Sequence, residues 1–78
     1  MARVKVKYSK GMLPTESLII IKTMSGPIEL FVDNVHLVED ELRVEVLDMD
    51  ESQALIRLPA EPMWGGKNIV VALPELVK

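Results

Sequence analysis

Residues 41–59, ELRVEVLDMDESQALIRLP, carry the clearest alternation in the chain. Leu42, Val44 and Val46 are interleaved with Arg43 and Glu45, a polar cluster fills positions 48–53, and Ile56 and Leu58 then alternate with Leu55 and Arg57. A period of two places successive side chains on opposite faces of a pleated strand. The stretch therefore predicts a β-hairpin with one face buried and the other charged.

The remaining segments read as strands arranged around that hairpin. Residues 2–8, ARVKVKY, predict a first strand with Val4, Val6 and Tyr8 facing inward and Arg3, Lys5 and Lys7 facing out. Gly11 and Pro14 make residues 9–17 a loop, in which Met12 and Leu13 are expected to fold over one end of the core. Residues 17–23 predict a second strand whose apolar run, positions 18–21, wants cover on both faces. Ser25 and Gly26 form a tight turn, because glycine takes a positive φ without steric cost. A third strand over 28–32 follows, with Ile28, Leu30 and Val32 on one face and Phe31 on the other. Asp33 and Asn34 mark a bend, and Val35, Leu37 and Val38 continue as a short extended piece. After the hairpin, Pro62, Gly65 and Gly66 predict a second long loop. Residues 68–73 are a last strand, ended by Pro74, with a single turn at the C-terminus.

Five or six short strands in 78 residues make one small all-β domain spanning 1–78. Its form is a small SH3-like barrel or a rolled antiparallel sheet. The meander, with one long early loop, one late loop and a terminal strand followed by a turn, resembles the SH3-like class of small barrels, and more distantly the Sm-like and OB classes. The resemblance is architectural, and no functional residues come with it.

Composition narrows the chemistry. With one Trp, one Tyr and one Phe, the core has to be aliphatic. The chain has no cysteine, which excludes disulfides, thiolate zinc sites and cysteine nucleophiles. MARVKVKY does not have the form of a signal peptide, and no apolar run approaches the roughly 20 residues that cross a bilayer. A cytoplasmic protein with no membrane association is the expectation. The net charge of -3 conceals an asymmetry: residues 1–28 carry Arg3, Lys5, Lys7, Lys10 and Lys22 against Glu16, whereas 29–51 carry nine acids against Arg43. In an antiparallel fold the basic first strand is expected to lie across from the acidic middle.

Catalytic chemistry has little to work with. His36 is the single histidine, Asp33 is its nearest acid in sequence, and a general base needs a positioned reactive partner in an enclosed site. No catalytic residues and no cofactor are assigned, and an enzyme is not expected. Asp48, Asp50 and Glu51 place oxygen donors at near-alternate positions, but the loop lacks the glycine and the distal glutamate of an EF-hand. Acidic turn residues account for the same letters, and no metal is assigned.

Association with another protein accounts for more of the sequence. If Ile28, Leu30, Val32, Leu42, Val44, Val46, Ile56 and Leu58 line the interior, then Phe31, Leu47 and Leu55 point outward, together with Ile20 or its neighbours and one parity of 70–72. A contiguous apolar set on adjacent strands marks contact with another molecule. Trp64, flanked by Met63, Gly65 and Gly66, is a candidate anchor for a partner or a plug for one end of the barrel. The expected function is thus non-enzymatic association, as a homodimer or accessory subunit, through Phe31, Leu47, Leu55 and Trp64. The alternative is a nucleic-acid-binding barrel using Arg3, Lys5, Lys7 and Lys10, against which stand the acidic middle and the inward parity of Tyr8.

Overall fold

The computed structural model describes residues 2–63 and 66–77. These residues form nine strands: β1 (Ala2–Lys5), β2 (Lys7–Lys10), β3 (Glu16–Thr23), β4 (Gly26–Asp33), β5 (Leu37–Val38), β6 (Glu41–Met49), β7 (Gln53–Arg57), β8 (Asn68–Ala72) and β9 (Leu76–Val77). They make two antiparallel sheets. The larger runs β8-β7-β6-β1-β9, with β5 also paired to β6, and the smaller runs β2-β3-β4. All-β is the outcome, but the two sheets do not close into a barrel.

The alternating positions explain the core. Val4 of β1, Leu42 and Val44 of β6, Ala54 and Ile56 of β7 and Val71 of β8 are buried on one face of the large sheet. Ile19 and Ile21 of β3 and Leu30 and Val32 of β4 are buried on one face of the small sheet, and together they form one apolar cluster. No buried side-chain nitrogen or oxygen among the described residues lacks a hydrogen-bond partner. The unalternating run of β3 is resolved by this arrangement: Ile19 and Ile21 fill the core while Leu18 and Ile20 face outward.

The first strand departs from the expectation at Val6, which belongs to neither β1 nor β2. There the chain leaves the large sheet and enters the small one. The Val6 N–H donates to the Asp40 carbonyl at 2.9 Å, so the bend is held by the turn between β5 and β6. At the opposite corner the Met24 N–H donates to the Val70 carbonyl at 2.9 Å and joins the β3–β4 turn to β8.

Tyr8 is not part of the core: it is 56% exposed although its register partner Ile19, on the same face of the sheet, is fully buried. Met12 and Leu13 also fail to fold over the core and stand 82% and 58% exposed. The short extended piece at 35–38 is a 3₁₀ turn, Asn34–His36, followed by the two-residue β5. The terminal turn is a 3₁₀ turn at Leu73–Glu75 and continues into β9, which pairs with β1 through Val4 and Leu76. No helix among the described residues is long and apolar enough to cross a membrane.

Candidate functional site

The outward apolar residues fall on two separate surfaces. On the small sheet, Leu18 of β3 is the direct cross-strand partner of Phe31 of β4, and Ile20 lies two residues along β3 on the same face. Leu18 and Phe31 are half-buried and Ile20 is exposed. On the large sheet, Leu55 of β7 lies opposite Val70 of β8. The β6–β7 register shifts between Val46 and Asp48, so Leu47 is the extra residue of a β-bulge next to Leu55. Phe31 and Leu55 therefore belong to the outer faces of different sheets, with the core between them, while Leu47 and Leu55 are neighbours. Every strand among the described residues belongs to one of these two sheets, so no third sheet covers either outer face. Trp64 lies outside the described residues.

The basic residues of the first strand divide at the bend. Arg3 pairs with Glu41 at 3.2 Å and Lys5 lies opposite Glu41 in the ladder, as the charge asymmetry leads one to expect. Lys7 and Lys10 instead face Ile20 and Ser17 of β3, away from the acidic middle. A groove of about 320 Å³ opens beside the bend. Its floor is apolar, from Val6, Ile20 and Pro27; Lys5, Lys7 and Lys22 stand around it, and Glu75 is the one acid on its wall. Lys22 joins this group because β3 pairs with β2 and its outward parity matches that of Ile20. That pairing is a long-range fact with no signal in the local sequence.

His36 sits on a second groove, about 350 Å³, beside Arg43, Glu45 and Arg57. Arg57 is engaged with Glu45 at 3.2 Å. Asp33 does not reach His36: its carboxylate accepts from the Val35 N–H at 3.0 Å and caps the 3₁₀ turn. The acidic loop is likewise occupied by its own backbone. Asp50 accepts from the Ser52 N–H at 2.8 Å and the Gln53 N–H at 2.9 Å, and these bonds hold its carboxyl below the usual carboxylate range. Among the described residues no three histidine or acidic side chains gather as metal ligands would.

Comparison with protein-family models, with curated proteins and with solved structures returns no match for this chain.

Proposed function

We propose that this protein is a non-enzymatic association module that binds another protein, a second copy of itself or a larger assembly, through the apolar outer faces of its sheets. The observation that carries this reading is the row Leu18–Phe31 with Ile20 beside it on the small sheet. The row Leu47–Leu55–Val70 on the large sheet supports it. Each such side chain, once fully desolvated, contributes roughly 1.5 to 3 kcal/mol before the costs of association are subtracted. The SH3-like architecture belongs to the same proposal: two sheets joined through a bent strand at Val6 and tied together at Met24 and Val70 make an open counterpart of such a barrel.

Sedimentation velocity over a dilution series tests the reading. Self-association that weakens in Ile20→Lys or Leu47→Lys supports it and says which face is used. A chain that stays monomeric at every concentration overturns the homodimer form.

A second reading has one observation in its favour. Tyr8 stands exposed on β2 with Lys10 two residues along on the same face, so the edge of the small sheet offers an aromatic ring beside a cation, the pairing that single-stranded nucleic acid uses. Arg3 is withdrawn from that surface by Glu41. Titration with single-stranded and duplex oligonucleotides at low salt decides it, since neutralising phosphates makes binding strongly salt-dependent.

A further inference from the structure

We infer that the free edge of β2, together with the lysine groove beside it, binds an extended acidic peptide segment as an added strand. The inference rests on the association reading and deepens it by naming one partner's chemistry; the two share Ile20, but an added strand is held by the main chain and lysines of the β2 edge and is read by peptide binding, whereas self-association through the apolar rows is read by sedimentation.

Three observations converge on it. First, β2 is the end strand of the small sheet: it pairs with β3 on one side, and no strand among the described residues pairs with it on the other. All four of its residues are exposed. In an antiparallel ladder alternate residues direct their N–H and C=O groups to either side, so half of these groups on β2 point to open solvent. An extended chain laid along such an edge takes its affinity from main-chain hydrogen bonds and its specificity from alternate side chains.

Second, the edge has a sign. Lys7 and Lys10 are on β2 itself, and Lys5 and Lys22 are exposed nearby. Lysines on an edge strand also prevent sheets from pairing with one another. In an antiparallel pairing centred on Tyr8 and Ser9, Lys7 would meet a second copy's Lys10, and like charges directly opposite are destabilising. Self-pairing in that register is thereby disfavoured, whereas a strand carrying carboxylates is attracted by the same residues.

Third, edge protection does not require Lys22. It lies on the central strand β3, yet it lines the same groove as Lys5 and Lys7. Lys7 and Lys22 share the outer face of the small sheet with Ile20, so they match the acidic face of a strand that alternates acidic and aliphatic side chains, whose acidic positions all fall on one face. The match to a short peptide is better than to a nucleic acid. The whole chain has a net charge of -3, which repels a long polyanion, whereas a short segment feels chiefly the lysines within a Debye length of about 10 Å.

The test is fluorescence anisotropy of the full-length protein against a labelled peptide of alternating glutamate and valine, about six residues long to match a typical strand. Two further versions carry N-methyl groups on every second amide, one in each phase. Strand addition predicts binding at low salt, with one methylated phase tolerated and the other abolishing it, because only one edge of the peptide faces β2. Lys7→Glu and Lys22→Glu should each weaken binding about tenfold or more. Glu75→Gln should tighten it. Amide resonances of residues 7–10 should shift on titration.

No binding at low salt overturns the inference, as does equal binding by both methylated phases, which would mean attraction by charge alone. Tighter binding of oligothymidylate than of the acidic peptide also overturns it, in favour of nucleic acid. None of these results alters the sedimentation behaviour of the chain, so the association reading stands or falls separately.

Discussion

The Val6 N–H and the Asp40 carbonyl, 2.9 Å apart, tie the point where the first strand changes sheets to the turn that opens the organising hairpin. Val6 is 8% exposed, so its side chain also seals the junction between the two halves of the core. The amide of Val6 is therefore expected to exchange with solvent about as slowly as that of Val4, while amides on the free edge of β2 exchange fast. Native-state hydrogen exchange followed by NMR checks this. Exchange at Val6 as rapid as in β2 would mean that the bend is not anchored.

One apolar cluster drawn from both sheets implies one folding unit. Leu30→Ala removes a fully buried side chain from the small sheet and Ile56→Ala removes one from the large sheet. Each is expected to cost about 2 to 5 kcal/mol, and each should lower a single transition seen alike by circular dichroism and by fluorescence. Ile20→Ala, on the outer face and 38% exposed, should cost far less. Urea titrations of the three variants check the order, and a second transition in either core variant would show that the sheets unfold separately.

The two-residue rhythm made much of this core legible: Val4, Leu30, Val32, Leu42, Val44, Ile56 and Leu58 are all buried as the alternation requires. Tyr8 has the same parity and is exposed. Parity says which face a side chain takes, but it does not say how far the opposing sheet extends. The bulge at Leu47 was not legible either, because an extra residue in one strand is visible only against its partner, here Leu55. The pairing of β9 with β1 joins residues more than seventy positions apart, and two residues carry no period of their own. The lysine groove needs that same kind of information. Lys7 and Lys22 share a wall because β2 lies beside β3. That the basic first strand lies across from the acidic middle, by contrast, could be anticipated from the charge asymmetry, although the particular pair of Arg3 with Glu41, and Arg43 as the ladder partner of Arg3, could not.

Acid should remove a specific contribution at the β6–β7 turn. The N–H groups of Ser52 and Gln53, aided by the Ser52 hydroxyl, favour the ionised form of Asp50 and lower its pKa on folding. A group whose folded pKa is depressed stabilises the fold above its unfolded value and loses that contribution as pH falls through the folded one. The contribution is thus full at neutral pH and disappears below the ordinary carboxylate range. Asp50→Asn should be less stable than the parent at neutral pH, and the gap should narrow on acidification. Thermal unfolding of both proteins at several pH values measures it, and a gap that widens in acid would reverse the assigned sign.

Two turns place opposite demands on backbone conformation, and substitutions there should shift stability in opposite directions. Gly26 follows the β3–β4 turn with φ +111°, and a Cβ built on it meets nothing within 4 Å. Gly26→Ala therefore meets no steric clash with neighbours, and its whole penalty, about 1 kcal/mol, comes from forcing an L-residue into a conformation it rarely adopts. Glu39, exposed in the turn between β5 and β6, already occupies such a conformation, with φ +58°. Glu39→Gly relieves that strain but gives the unfolded chain more freedom, so the net gain is about 0.5 kcal/mol; Glu39→Asn, which tolerates the left-handed region with less added freedom, should gain at least as much. For a domain of this size about 1 kcal/mol moves the melting temperature by roughly 4 to 8 °C, so both signs are measurable by calorimetry. If Gly26→Ala and Glu39→Gly moved the midpoint the same way, the two turns could not have the backbone conformations described, and the placement of the Asp40 carbonyl against Val6 would have to be revised with them.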